Sequence, residues 1–223
     1  MHGGEVEIVF IIADLCGYSA LTEAHGSLGA ATAAMRYAEI AHSVLQPGTR
    51  FVERVGDEVL IAAEDASAAV RTALALRQAV EREPLFPTLR TGLHAGSVVE
   101  QAGSYFGSAL NITARVAAHA RGGQILCTDR VRTSASSCGS IAYEALGPVT
   151  FKNIVNPALL FEVVSSRHSA ESAVLDPVCR MQVRPGTAPA RLPYAGATYH
   201  FCSFDCAKTF AEHPDRYVPS PAA

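Results

Sequence analysis

Two aspartates, Asp14 and Asp57, lie where the sequence predicts a strand end and a hairpin tip. Asp14 closes the apolar, β-branched run EVEIVFIIAD at residues 5–14, which is typical of a strand buried on both faces. Asp57 follows Gly56 between the strand-like runs RFVERV and EVLIAA, a position suited to a tight turn. Adjacent strands would bring the two carboxylates together as hard oxygen ligands for two Mg²⁺ or Mn²⁺ ions. Turn aspartates are more often caps or solvated residues, so the pair alone is weak evidence.

A second pair of residues that could take part in chemistry is Asn111 and Arg115, in a segment predicted to form a helix over residues 106–119. The i, i+4 spacing places both side chains on one helix face. A guanidinium in that position binds phosphate oxygens through two parallel hydrogen bonds. The alternative interpretation is an exposed helical asparagine and arginine without a role.

The six cysteines are unevenly distributed. Three stand singly (Cys16, Cys127 and Cys138), and three form the pattern C-x22-C-x3-C near the C-terminus (Cys179, Cys202 and Cys206). The pattern favours reduced core thiols plus one thiolate site for a soft or borderline ion, Zn²⁺ or Cu(I). His200 falls on the same side of a predicted strand as Cys202, which allows a fourth ligand. We prefer to interpret His200 as a partly buried strand histidine.

The elements that position these residues follow from hydrophobic periodicity. After the first strand, a long helix is predicted from the apolar stripe Tyr37, Ile40, Ala41 and Val44, and Pro47-Gly48 ends it. A second helix is predicted after the capping residue Asp65, with the stripe Ala69, Ala73, Leu76 and Val80. The run TLRTGLHAGSVVE then returns as a strand. The predicted order βαββαβ is a split βαβ arrangement of the α+β class, which is ferredoxin-like.

The remaining chain extends this unit and adds a second one. GGQILCT predicts a turn and a strand, and residues 140–164 predict further short strands. The polar segment SSRHSAESA shows no apolar stripe, which indicates a linker. We therefore expect a domain at residues 1–164, a linker at 165–174 and a small cysteine-bearing domain at 175–218.

Composition excludes several classes of function. A length of 223 residues suits one domain of common size and a second, small one. The formal net charge of -3 and the scattered basic residues argue against a nucleic-acid partner. No apolar run is long enough to cross a bilayer, and the N-terminal residues lack the pattern of an export signal. We expect a cytoplasmic protein with no membrane partner.

Four blocks of the sequence, in order, resemble the signature motifs of class III adenylate and guanylate cyclases. They are FIIADLCGYSALTE, VGDEVLIA, TGLHAGSVV and GSYFGSALNITAR, and the resemblance covers residues 5–164. The resemblance implies metal binding by Asp14, Asp57 and the Leu15 carbonyl. It also implies that Asn111 orients the ribose, that Arg115 stabilises charge on the phosphates, and that Lys152 binds the terminal phosphates.

The resemblance further implies a reaction and an assembly. A purine nucleoside triphosphate, GTP or ATP, is converted to a 3′,5′-cyclic nucleotide and pyrophosphate. The active unit is a head-to-tail homodimer in which the aspartates of one subunit face Asn111 and Arg115 of the other. Two base-contacting positions depart from the adenylate cyclase pattern: Glu53 replaces a lysine and Ser104 replaces an aspartate.

The C-terminal segments DPVCRMQV and GATYHFCSFDCAKTFAEHPDRY resemble the YHS domain, which is related to heavy-metal-binding modules. Two hypotheses follow for the whole chain. One is a nucleotide cyclase whose YHS domain senses or requires a metal. The other is a degenerate cyclase-like module that only binds nucleotide or dimerises, with metal carried by the YHS domain. Retention of Asp14, Asp57, Asn111 and Arg115 favours the enzyme, and the changes at Glu53 and Ser104 favour the second hypothesis.

Overall fold

The computed structural model describes residues 4–135, 141–165 and 173–218. Cys138 and most of the predicted linker lie outside the described residues. The strands are β1 (Glu5–Leu15), β2 (Thr49–Val55), β3 (Glu58–Ala63), β4 (Leu89–Gln101), β5 (Ser104–Phe106), β6 (Ile125–Thr128), β7 (Ile141–Val149), β8 (Ala158–Ser165), β9 (Val174–Leu175), β10 (Gln182–Val183), β11 (Ala190–Tyr194) and β12 (Ala197–Phe201). The α-helices are α1 (Tyr18–Ser43), α2 (Ala66–Arg82), α3 (Ser108–His119), α4 (Asp129–Ser134) and α5 (Phe204–Glu212).

The larger unit is built on one sheet with the strand order β2-β3-β1-β4-β6-β8-β7, and β5 pairs with β4. Strand β1 is antiparallel to β3 and β4, whereas β4 and β6 are parallel. The order of elements confirms the predicted ferredoxin-like βαββαβ arrangement with added C-terminal strands. Two elements were not predicted: β5 precedes α3, and α4 follows β6. The segment at residues 140–164 forms two strands, β7 and β8, instead of several short ones.

Strand β1 is buried on both faces, as its continuous apolar run predicts. Ile11 and Ala13 belong to the core that also contains buried residues of α1 and α2. Phe10 and Ile12 face the other side and pack with Ala109 of α3. Because successive side chains of a strand alternate, Asp14 lies on the face of Phe10 and Ile12, which is the face of α3.

Local sequence determines where helix α2 begins and where helix α1 is interrupted. The Asp65 side chain accepts a hydrogen bond from the Ala68 amide at 2.8 Å, which confirms the predicted N-cap of α2. Helix α1 is interrupted at Gly26, where φ is 73° and ψ is 168°. A single glycine in a helical pattern is often tolerated without a break, so the sequence pattern did not show this interruption.

The C-terminal unit at residues 173–218 contains two hairpins, β9–β10 and β11–β12, and helix α5. Its core packs Phe201 and Phe210 against the three clustered cysteines. Ser203 caps α5 by accepting a hydrogen bond from the Cys206 amide at 3.1 Å. Among the described residues, no helix is both long and apolar enough to cross a bilayer.

Candidate functional site

A row of charged side chains crosses the sheet at the end of β1. Asp14 pairs with Glu58 of β3 on one side and with Arg90 of β4 on the other. Directly paired residues share a face of the sheet, so the three side chains lie side by side on the face of α3. The Leu15 amide donates a hydrogen bond to the Asp57 carbonyl at 3.3 Å, which holds the hairpin tip against the end of β1. The structure therefore brings Asp14, Leu15 and Asp57 together.

The carboxyl groups at this end of β1 carry more negative charge than the neighbouring Arg90 guanidinium offsets. The Arg90 guanidinium forms an ion pair with Asp14, with Nη2 at 2.5 Å from Oδ2. Partial burial and the neighbouring Asp14 carboxylate raise the pKa of Asp57 to about 6. Burial and the charges of Asp14 and Asp57 also raise the pKa of Glu58. One guanidinium thus faces three carboxyl groups.

This donor set fits divalent cations. Carboxylate and carbonyl oxygens are the ligands that Mg²⁺ and Mn²⁺ prefer, and a cation would favour the charged form of Asp57, whose pKa is raised first by burial and then by the Asp14 carboxylate. Asp14 and Asp57 offer such oxygens in the described structure, and Leu15, which directly follows Asp14, donates its amide hydrogen to the Asp57 carbonyl. Glu58 was not singled out from the sequence, although it directly follows Asp57. Arg90 was missed because only the register of β4 against β1 places it beside Asp14.

Glu53 and Ser104, the two predicted base-contacting residues, lie close in sequence to residues that join β2 to the β4–β5 hairpin. Arg50 of β2 forms an ion pair with Glu100 at 2.7 Å and hydrogen-bonds the Tyr105 hydroxyl, which joins β2 to the β4–β5 hairpin. Glu53 lies three residues after Arg50, and Ser104 directly precedes Tyr105. Both Glu53 and Ser104 are exposed. Glu53 pairs with Leu60, whose side chain packs on the same face of the sheet as Ile12, so Glu53 shares the face of Asp14.

The residues predicted to bind ribose and phosphate, Asn111 and Arg115, are carried by α3, a different element from those that carry the carboxylates. Asn111 and Arg115 are exposed, whereas Ala109, Thr113 and Ala117 of the same helix are buried against the sheet. The single chain thus presents Asn111 and Arg115 on the side of α3 that points away from the sheet.

Lys152 is also exposed, in the turn between β7 and β8, at the sheet edge opposite the β2–β3 hairpin. A groove of about 530 Å³ lies between α3 and this turn, and Ile112, Asn153 and Leu159 contribute to its walls. Asn111 and Lys152 each directly precede, in the sequence, a residue of the groove wall. The structure therefore divides the predicted site residues into two groups within one chain.

His94 lines this groove, but its side chain is hydrogen-bonded within the sheet. Its Nδ1 is 2.9 Å from the Thr128 hydroxyl, and the residue is buried. Burial and the nearby Arg130 lower the pKa of His94 to about 4, so the ring is neutral near pH 7. A neutral, hydrogen-bonded ring between β4 and β6 orders the sheet beside α3.

The three C-terminal cysteines form a compact cluster. The Sγ atom of Cys202 is 3.4 Å from that of Cys179 and 3.6 Å from that of Cys206. The thiols of Cys179 and Cys202 hydrogen-bond Cys206, which holds the pKa of Cys206 well below its ordinary value. All three side chains are buried. Buried sulfur atoms at these separations fit a thiophilic metal ion.

Asp176 positions the cluster and was not singled out from the sequence. Its carboxylate is fully buried, and it accepts hydrogen bonds from the amides of Val178 at 2.8 Å, Cys179 at 3.3 Å and Cys202 at 2.8 Å. One carboxylate thus ties together the two loops that carry Cys179 and Cys202. The aspartate-proline pair before Cys179 was the available signal, since aspartate often binds backbone amides two residues on.

The fourth donor near the cysteines is His25 of α1, not His200. The ligand atoms of His25, Cys179, Cys202 and Cys206 all lie within 4.8 Å of one another. His200 lies half-buried in β12, as the preferred interpretation predicted, and is absent from this group among the described residues. No local pattern marks His25, because it is 177 positions away from Cys202.

Comparison with known proteins agrees with both units. Residues 174–220 match the YHS domain family. A pH-sensitive adenylate cyclase of Mycobacterium tuberculosis is 31% identical over 163 residues, which are 72% of this chain and 41% of that protein. A copper-transporting P-type ATPase of Rhizobium leguminosarum is 40% identical over 50 residues, which are 22% of this chain and 6% of the transporter. The chain thus spans well under half of these two relatives.

A solved structure gives the same assignment for the larger unit. The crystal structure of an adenylate/guanylate cyclase/hydrolase from Silicibacter pomeroyi superposes with a TM-score of 0.60 at 28% sequence identity. The match covers 73% of this chain and 99% of that one. The chain therefore joins a domain of the class III adenylate/guanylate cyclase family to a C-terminal YHS domain.

Proposed function

We propose that the chain is a purine nucleotide cyclase that converts GTP or ATP to a 3′,5′-cyclic nucleotide and pyrophosphate. The observation that carries the proposal is the juxtaposition of Asp14 and Asp57, with a raised pKa at Asp57 that a bound cation would reverse. Similarity to proteins named adenylate cyclases supports the same reaction class.

Asp14, Asp57 and the Leu15 carbonyl would hold two Mg²⁺ or Mn²⁺ ions. Such ions, when bound, lower the pKa of the attacking hydroxyl and neutralise the triphosphate. The other residues bind and orient the substrate: Asn111 the ribose, Arg115 the phosphates in the transition state, and Lys152 the terminal phosphates. The 3′-oxygen forms a bond to the α-phosphorus, the bond to the bridging oxygen breaks, and pyrophosphate leaves while the hydroxyl proton is lost.

The separation of the two residue groups supports a site shared between two copies of the chain. In one chain, Asp57 lies at the β2–β3 hairpin and Asp14 near the end of β1, whereas Asn111 and Lys152 each directly precede a residue that lines the groove. A head-to-tail dimer places the carboxylates of one copy against the groove of the other. Catalysis then depends mainly on positioning and on neutralising charge on the phosphates.

A second candidate function is binding without catalysis. It is favoured by Glu53 and Ser104, both of which depart from the residues that adenylate cyclases use to contact the base. A module of this kind would bind nucleotide, or dimerise, without forming a cyclic product. The two functions differ in one measurable quantity, the rate of cyclisation.

The experiment is direct. Purified protein is incubated with ATP or GTP and Mn²⁺, and cyclic product is measured beside Asp14→Asn and a matched variant, Asp215→Asn, which changes an exposed aspartate of the YHS domain. We expect product from the parent and from Asp215→Asn, and none from Asp14→Asn. Nucleotide binding without product in the folded parent would instead support the binding module.

For the YHS domain, we infer that Cys179, Cys202 and Cys206 bind one soft or borderline ion, Zn²⁺ or Cu(I). The buried sulfur cluster and the Asp176 carboxylate that orders its loops support this. Metal bound there would regulate or stabilise the protein. Metal analysis after titration under reducing conditions tests the stoichiometry, which we expect to be one ion per chain.

A further inference from the structure

The cysteine cluster of the YHS domain is completed by a residue of the cyclase domain. The Nε2 atom of His25, on α1, lies 3.4 Å from the Sγ atom of Cys202 and 3.8 Å from that of Cys206. Within the cluster, the Cys179 and Cys202 sulfur atoms are 3.4 Å apart. The four donor atoms come from two domains and from three separate segments of the chain.

Four of the six donor–donor separations lie near the edges of a tetrahedral site, and all six are within 4.8 Å. With metal–sulfur bonds of about 2.3 Å and metal–nitrogen bonds of about 2.0–2.1 Å, tetrahedral angles give S···S edges near 3.8 Å and N···S edges near 3.6 Å. The contacts among His25, Cys202 and Cys206 range from 3.4 to 3.8 Å. A Cys₃His set of this size is typical of structural zinc sites.

We propose that His25 is the fourth ligand of a Cys₃His site for Zn²⁺ that latches the YHS domain onto the first segment of α1. The inference rests on the thiolate site proposed above and does not require cyclase activity. With His25 as a ligand, the metal bridges the two domains and therefore controls their contact. A metal held by three cysteines alone would leave the contact unchanged.

The local structure of α1 places His25 for this role. The helix is interrupted at Gly26, so His25 is the last residue of the first helical segment. The positive φ of 73° at Gly26 is a conformation that residues with a Cβ rarely adopt. The half-buried His25 ring therefore stands at a helix end that faces the cluster.

Other contacts show that the two domains meet over a surface beside this site. The Gln182 amide donates a hydrogen bond to the Phe86 carbonyl at 2.9 Å, and Met181 forms an isolated β-bridge with Pro87. Arg180 packs so closely on Gly17 that a Cβ added at Gly17 would lie 2.6 Å from the Arg180 Cβ.

This surface adjoins the carboxylate site. Gly17 follows the segment Asp14–Leu15–Cys16, and the Cys16 amide donates a hydrogen bond to the Thr88 carbonyl at 2.8 Å. Arg90, which pairs with Asp14, lies two residues beyond Thr88. An ion at His25 therefore fixes the YHS domain against the two segments that carry Asp14 and Arg90.

The coordination chemistry distinguishes two ions. Zn²⁺ takes four ligands in a tetrahedron and accepts both thiolate and imidazole. Cu(I) is selected by soft sulfur ligands, so the three thiolates would suffice and His25 would contribute little. Dependence of affinity on His25 thus separates a zinc latch from a copper site confined to the YHS domain.

The test compares the full chain with His25→Ala and with a matched histidine variant of the YHS domain, His200→Ala. Zn²⁺ affinity is measured by competition with a chromophoric chelator under reducing conditions. We expect His25→Ala to weaken Zn²⁺ binding by at least about 10- to 100-fold, the range that loss of a residue behind a metal ligand already produces, and His200→Ala to leave it unchanged. Co²⁺ replaces Zn²⁺ as a spectroscopic probe, and its tetrahedral absorption bands should change only in His25→Ala.

Hydrogen exchange tests the latch itself. We expect Zn²⁺ to slow amide exchange at residues 18–25, at Phe86 and at Thr88 in the parent and in His200→Ala, but not in His25→Ala. Equal Zn²⁺ affinity in the parent and in His25→Ala would overturn the interdomain site while leaving the three-cysteine site intact. Absence of Zn²⁺ binding by every variant would overturn both, and neither result bears on cyclisation, which is assayed separately.

Discussion

The guanidinium of Arg90 lies against the carboxylate of Asp14 across neighbouring strands, with Nη2 at 2.5 Å and Nε at 2.7 Å from Asp14 Oδ2. Arg90 thus supplies positive charge at the place where the proposed mechanism puts a divalent ion. The arginine and the ion compete for the same carboxylate oxygen. Arg90 is therefore expected to set how strongly the site binds its metal.

Replacing Arg90 by glutamine should strengthen Mn²⁺ binding, because Asp14 then loses its ion pair and Asp57 and Glu58 lose a nearby positive charge. A ligand that binds the folded state raises the melting temperature. Mn²⁺ should accordingly raise the melting temperature of Arg90→Gln more than that of the parent. Arg132→Gln, which removes an ion pair in α4, serves as the control and should behave like the parent. A smaller Mn²⁺ effect in Arg90→Gln would contradict the competition.

Gly92→Ala should destabilise the fold and displace α3. A Cβ at Gly92 would lie 2.2 Å from the Ala117 backbone nitrogen, so the helix must move away from β4. Overpacking of this kind typically costs about 1–3 kcal/mol of unfolding free energy. Denaturant unfolding measures this cost, and cyclisation should fall too, because α3 carries Asn111 and Arg115. Gly186→Ala, with open space around the added Cβ, is the control. Unchanged stability in Gly92→Ala would show that α3 packs less closely than described.

The contribution of His94 to stability should fall as the pH decreases from about 6.5 to about 4, whereas Asp57, whose pKa burial and the Asp14 charge raise to about 6, contributes in the opposite direction. Burial lowers the pKa of His94 from 6.5 to about 4, so in this window the unfolded chain binds a proton that the folded state does not. The contribution is fully present above pH 6.5 and is lost as the pH falls through about 4. Arg130 lowers this pKa further, and Glu7 opposes it. The unfolding free energy of the control His119→Gln, minus that of His94→Gln, should therefore decrease as the pH falls across this window, because only the control keeps the His94 contribution. Identical pH profiles of the unfolding free energy in the two variants would show that His94 does not contribute to the pH dependence of stability.

GTP should be preferred over ATP, because Glu53 accepts hydrogen bonds from the N1–H and N2 amino donors of guanine but cannot donate to adenine N1. Ser104 can donate to guanine O6. The double variant Glu53→Lys with Ser104→Asp should shift the ratio of cyclic GMP to cyclic AMP toward cyclic AMP. The mismatched contact is worth about 1–3 kcal/mol, a bias that equal, subsaturating nucleotide concentrations would reveal. A parent that clearly prefers ATP would refute this assignment of the base.

The sequence predicts the central frame because the signals are local. The apolar run of β1, the Gly56-Asp57 turn and the Asp65 cap each depend on neighbouring residues, and the structure contains all three. Asp14 and Asp57 could be selected because each follows such a signal.

The missed residues depend on tertiary contacts. Arg90 meets Asp14 through the register of β1 against β4, and His25 meets Cys202 through the packing of two domains. Neither relationship leaves a periodic trace in the sequence. Asp176 differs from Arg90 and His25, because it accepts hydrogen bonds from amides a few residues further along the chain. The aspartate-proline pair that precedes Cys179 is therefore a local signal that the sequence contains.

The most direct measurement of the shared-site cyclase is complementation between two inactive variants. Asp57→Ala removes a carboxylate of one residue group, and Arg115→Ala removes the guanidinium of the other. Each variant alone should form no cyclic nucleotide in the presence of Mn²⁺, and a mixture that forms heterodimers should regain activity, because one of its two sites is intact. An active parent whose verified heterodimers of Asp57→Ala and Arg115→Ala stay inactive would contradict the account.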